Sequence, residues 1–160
     1  MRHRAQGFSL IELLIVVAII LIIAAIAIPN LLRSRIAANQ ASAIGSLRII
    51  NTAEVTYSSS YGEGFSSTLL QLGPPSSGPV TVSAAGLIDS VLAAGMKSGY
   101  SFLYSPAMQD TRGFYNGYIL NANPAVFGQT GTAYYFTDQT HVIRGSTTGT
   151  ASATDSPVAQ

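Results

Sequence analysis

Apolar positions are very unevenly spread along this chain. From Leu13 to Ile28 every residue is apolar. A helix that packs on a soluble core needs only one apolar stripe, so an apolar surface on all sides calls for lipid or for other apolar helices. As a helix, Phe8 to Ile28 reaches roughly 31 Å, close to the ~30 Å hydrocarbon core of a bilayer. Pro29 ends the run. It removes one amide donor and predicts a kink or local loosening. Beyond it, Leu32, Ile36, Ala43, Leu47, Ile50, Ala53 and Tyr57 recur at spacings of three, four and seven. Arg33, Arg35, Asn39, Gln40, Ser46, Arg48 and Asn51 fall between them. That period is helical and amphipathic. The simplest reading is one helix from about Phe8 to about Tyr57, its second half covering a domain.

From Ser58 the pattern changes. Ser58 to Phe65 reads as a loop, Thr68 to Leu72 as a helical turn, Gly73 to Pro79 as irregular chain, and Leu87 to Ala94 as a short helix stopped by Gly95. Aromatic and β-branched runs predict strands at Tyr100–Tyr104, Tyr115–Asn121, Thr132–Thr137 and His141–Arg144, the last two joined through Asp138. The expected fold class is α+β, a long N-terminal helix packed on a small antiparallel sheet. The expected segments are 1–7, short and basic; 8–28, the apolar helix; 29–57, its amphipathic half; 58–144, an α+β head; and 145–160, a flexible tail rich in Ser and Thr.

Composition narrows the function classes. Only 9% of residues are charged, against about a quarter in a typical soluble domain. The formal charge is +1, so no nucleic-acid surface is expected. There are no cysteines, which excludes disulfides and thiolate chemistry. No phosphate loop or nucleophile elbow is present, so neither an enzyme nor a cofactor is expected.

Glu12 is the informative residue. A carboxylate at the centre of a membrane helix costs about 2.5–3.5 kcal/mol, so it needs a partner or a place near the interface. One reading is that it complements the unpaired donors and positive dipole end of the helix N-terminus. Another signal is Ala25-Ile26-Ala27, the small-x-small pattern of a secretory cleavage site. The long apolar run and its continuation into further helix speak against that reading. The positive-inside rule is nearly balanced, with Arg2, His3 and Arg4 before the span and Arg33 and Arg35 after it. His141 stands alone near a turn. Asp110 and Asp138 are the loop aspartates on which a calcium site would draw, though such residues are usually just solvated. The strand aromatics read as core and cross-strand pairs.

The segment Gly7-Phe8-Ser9-Leu10-Ile11-Glu12-Leu13-Leu14, behind its basic leader, resembles the prepilin-peptidase motif of type IV pilins and type II secretion pseudopilins. The resemblance covers about thirty residues, and the long helix extends it to about Tyr57. It implies cleavage between Gly7 and Phe8, N-methylation of Phe8, and pairing of Glu12 with the Phe8 amine of a neighbouring subunit during assembly. Its implied partners are identical or related pilin subunits, a prepilin peptidase/methyltransferase, an inner-membrane assembly platform and the lipid bilayer. The implied location is the bacterial inner membrane, leader in the cytoplasm, and then an extracellular or periplasmic filament. A pilus subunit, a secretion pseudopilin and a membrane-anchored extracytoplasmic binding domain are the readings in play.

Overall fold

A computed structural model of the chain describes residues 8–158. Its first element, α1, is a helix over Leu10–Tyr61, with Pro29 inside it. The chain divides into two compact units, Met1–Arg35 and Ile36–Gln160.

The described part of the first unit is apolar helix without a covering layer: the large hydrophobic side chains from Phe8 to Leu32 are exposed. The helix continues through Pro29, since loss of one amide donor does not by itself end a helix held on both sides.

The second unit is helix on sheet. Here α1 buries Ala43, Ser46, Leu47, Ile50, Asn51, Ala53, Glu54 and Tyr57, the spacing of a single helix face. Two short helices follow, α2 at Leu69–Leu72 and α3 at Ser90–Ala93. The sheet then runs β1 Met96–Lys97, β2 Tyr100–Gln109, β3 Tyr115–Pro124, β4 Tyr134–Asp138 and β5 Arg144–Ser146. All neighbours are antiparallel and the spatial order follows the chain order. Tyr100, Phe102, Tyr118, Leu120, Ala122 and Tyr135 point inward and join Leu47, Ile50, Leu72 and Leu92 in one core. Burying each large side chain stabilises by about 1.5–3 kcal/mol before ordering costs.

The observed elements differ from the expected ones at their edges, for local reasons. α1 continues past Tyr57 to Tyr61, because Tyr57 and Tyr61 pack one helical turn apart with ring centroids at 5.0 Å. Gly62, at φ 68°, then supplies the left-handed stop. α3 begins only at Ser90, capped by the Asp89 carboxylate accepting from the Leu92 amide. The residues before it are spent alongside α2: the amides of Ala85, Leu87 and Ile88 donate to Gln71 and Leu72 carbonyls. β1 is an added strand, returned into β2 by a two-residue turn in which Ser98 and Gly99 both have positive φ.

The strand expected at His141–Arg144 forms instead at Arg144–Ser146. Asp138 accepts from the Thr140 amide, the His141 amide donates back to the Asp138 carbonyl, and His141 is left-handed at φ 63°. The turn therefore consumes the residues that would have paired. The segment 145–158, expected to be a flexible tail, is tied down. The Gly145 amide donates to Ser156 O at 3.1 Å and the Val158 amide to Ile143 O at 2.8 Å. Arg144 Nη1 donates to Asp155 O at 2.9 Å, Asn121 Nδ2 to Ala151 O at 2.8 Å, and Ala151 is buried. Low hydrophobicity predicted mobility, but backbone pairing at the sheet edge fixes the segment.

Candidate functional site

The candidate site lies at the start of α1. Ser9 precedes the helix and Glu12 sits in its first turn. Glu12 Oε2 accepts from the Ser9 backbone amide at 2.9 Å. This is one arm of a capping box, in which the third helical residue reaches back to the capping residue. The Ser9-x-x-Glu12 spacing carried this signal. It was legible in the sequence beside the dipole argument and was not read from it. Phe8 is 77% exposed. Gly7 and the rest of segment 1–7 lie outside the described residues. Pro29 is far along the same helix.

The aspartates named for calcium are not brought together. Asp110 closes the β2–β3 turn. Its Oδ1 accepts from the Arg112 and Phe114 amides, and its Oδ2 accepts from the Arg112 guanidinium at 2.8 Å. Arg112 beside it holds this carboxyl below its ordinary range. Asp138 is taken up by the Thr140 amide and hydroxyl. No group of three His, Cys, Asp or Glu able to hold a metal occurs among the described residues. His141 is exposed, and its carbonyl accepts from Asn51 Nδ2 at 3.4 Å.

The head holds a feature that the sequence reading missed. Glu54 is fully buried in α1. Its Oε2 accepts from the Ser66 amide at 2.9 Å, and its Oε1 lies 2.6 Å from Ser66 Oγ. Tyr104 O–H donates to Ser66 O at 2.8 Å and sits 3.2 Å from Ser66 Oγ. Ser66 Oγ has one proton and two oxygen neighbours. Its hydroxyl donates to Glu54 Oε1, the shorter of the two contacts. Burial pushes the Glu54 carboxyl up, while the Ser66 bonds pull in the opposite direction. Burial likewise pushes the Tyr104 hydroxyl up. A second network joins Tyr118 O–H to Asn51 Oδ1 at 2.9 Å and Asn51 Nδ2 to Thr137 Oγ1 at 3.0 Å. Glu54 falls on the apolar side of the α1 period, and that mismatch was the signal available. The aromatics pack as core pairs, with Tyr104 stacked on Tyr118 at 5.7 Å and Tyr100 beside Tyr135 at 5.9 Å.

The described residues thus hold a capped helix long and apolar enough to cross a membrane, and an α+β head. Residues 2–28 match the family model described as the prokaryotic N-terminal methylation motif. The chain is 48% identical over 54 residues to the type IV major pilin protein PilA of Myxococcus xanthus, covering 34% of this chain and 24% of that protein. It is 65% identical over 37 residues to the type IV wide pilus major component PilA4 of Thermus thermophilus, covering 23% of this chain and 28% of that protein. The chain thus spans about a quarter of the length of these relatives. No solved structure matches it. At its N-terminus, then, the chain carries a prepilin-type methylation motif, and there it is similar to type IV major pilins.

Proposed function

We propose that this chain is a structural subunit, a pilin, of a type IV pilus-like surface filament, and not an enzyme. The observation that carries the reading is the prepilin motif on a helix whose apolar side chains are exposed from Phe8 to Leu32. Such a surface must leave water, first in lipid and then among sister helices. In this reading a prepilin peptidase cuts between Gly7 and Phe8 and methylates Phe8. The precursor spans the inner membrane once, leader inside. An assembly platform then moves the helix into an extracellular filament.

Glu12 sets the register. Cleavage creates an ammonium at Phe8, and the Glu12 carboxylate of a neighbouring subunit pairs with it. A carboxylate accepts several donors, so this pairing is compatible with the bond to Ser9. A misregistered helix leaves a charge buried alone, which is strongly unfavourable. A pseudopilin of a secretion system is the second reading. The absence of cysteines favours it, because that family more often lacks the head disulfide. The matched relatives, both major pilus components, favour the pilus.

Mass spectrometry of the mature protein tests the proposal. A chain beginning at methylated Phe8 is expected. A start at Met1, or at Ile28 after secretory cleavage, rejects it. Imaging of long surface filaments containing this chain separates pilus from pseudopilus.

A further inference from the structure

Where α1 ends, the head holds a small cavity of about 100 Å³. Tyr57, Phe65, Phe114 and Tyr115 line it, together with Glu63, the one charged residue on its lining among the described residues. Glu63 stands between Gly62 and Gly64, at φ 68° and 78°. The loop that carries it is fastened on its far side. The Phe65 amide donates to Tyr115 O at 2.7 Å, and the Ser66 amide to Glu54 Oε2 at 2.9 Å. Burial first, and then the Glu63 carboxylate, push the Tyr57 hydroxyl up, so that carboxylate acts on the cavity wall. Among the described residues Glu63 makes no ion pair.

A carboxylate set among aromatic faces selects a cation. A guanidinium suits it best, because it bonds a carboxylate and also stacks on a ring. Phe114 already takes one: Arg112, neutralised by Asp110 at 2.8 Å, lies 5.1 Å from the centre of that ring. The cavity equals roughly three waters' share of liquid volume, enough for the flat end of one arginine. Four lysines and arginines belong to the head: Arg48, Lys97, Arg112 and Arg144. Lys97 is held by Asp89 at 2.8 Å, Arg112 by Asp110, and Arg144 by the Asp155 carbonyl at 2.9 Å. Arg48 is exposed on α1 and makes no ion pair among the described residues. It cannot enter the cavity of its own chain. Tyr57, on the cavity lining, follows it by nine residues. That is about 14 Å along the axis and about two and a half turns around it, hence the opposite side of the helix.

We propose that the cavity at Glu63 receives the Arg48 guanidinium of a second copy, as a contact between the heads of neighbouring subunits. Donor and receiver stand on opposite sides of one helix, so the contact is heterologous. Each copy gives and receives, and the series need not close on a pair. The inference rests on the reading above that the chain polymerises. One exposed ion pair is too weak to hold two copies by itself, so it selects among neighbours that the apolar helices bring together.

The chain has no cysteine, so an introduced pair reports only itself. Filaments carrying Arg48→Cys with Glu63→Cys are treated with a short bis-maleimide and denatured. A ladder of dimers, trimers and longer multimers is expected, its species beyond the dimer at least tenfold more abundant than in either single variant. One cysteine per chain can link only two copies, so each single variant stops at the dimer. If filaments of the double variant give nothing beyond the dimer, the contact is overturned and the filament reading stands. A ladder from Arg35→Cys with Glu63→Cys in place of the Arg48 pair decides the same way. If the unaltered chain makes no filament, both fall. Should the cysteine pair fail to assemble, charge exchange decides. Glu63→Arg is expected to lower filament yield severalfold, and Arg48→Glu added to it to restore most of the yield. No loss from the first change, or no recovery from the second, overturns the contact.

Discussion

Glu54 is a buried carboxyl in the core of the head. Its folded carboxyl is pushed above the ordinary value of 4.5 by burial. Its contribution to stability is therefore fully present below that value and is lost as pH rises through the raised one. Thermal unfolding of the full chain in detergent should show melting temperature falling over that window, and Glu54→Gln should flatten the profile. Glutamine keeps an oxygen for the Ser66 amide and needs no proton. Glu54→Ala removes that acceptor and should cost about 1–3 kcal/mol for the buried donor it leaves. An unaltered pH profile in Glu54→Gln would place the sensitivity elsewhere. At the other end of α1, Glu12→Ala removes the acceptor for the Ser9 amide. Insertion and processing should persist while filament yield drops, as read by membrane fractionation and by counting filaments. Normal yield would sink the pairing mechanism. Glu12 was conspicuous in the sequence as a charge inside an apolar run. Glu54 was hidden, because its partner Ser66 lies in a loop whose return onto the helix no periodicity encodes.

Among elements, the helix was the most legible. Leu47, Ile50, Ala53 and Tyr57 were on the expected face, and all are buried. Strands were placed well where aromatics alternate, as in β2 and β3. They were misplaced where turn bonding decides, as between Asp138 and Arg144. The segment after β5 was the least legible, because its Ser- and Thr-rich composition says nothing of backbone partners. Four hydrogen bonds from it were described above, each worth about 0.5–1.5 kcal/mol net. Deleting residues 147–160 should thus destabilise the head by roughly 2–6 kcal/mol, measured by urea unfolding of the full chain and its truncation. A midpoint that does not move would make the segment an ornament.

For the molecule as a whole, the division at Arg35 and Ile36 separates two kinds of surface. The exposed apolar run belongs to the first unit, and the closed core belongs to the second. If association resides in the first, a fragment of residues 36–160 should fold, stay monomeric in sedimentation, and fail to enter filaments. Oligomers of that fragment would move the assembly surface onto the head.

The spatial order of the strands has a consequence for how such a protein is made. Each strand pairs with the one that precedes it in the chain, so every pairing closes a short loop and the entropy cost of each closure is small. Topologies of this kind fold quickly for their size. A chain emerging during synthesis can therefore zip its sheet stepwise as each hairpin appears. With no cysteine to oxidise, the process has no thiol exchange to wait for. Only the docking of that finished sheet onto a helix synthesised long before it remains a distant search.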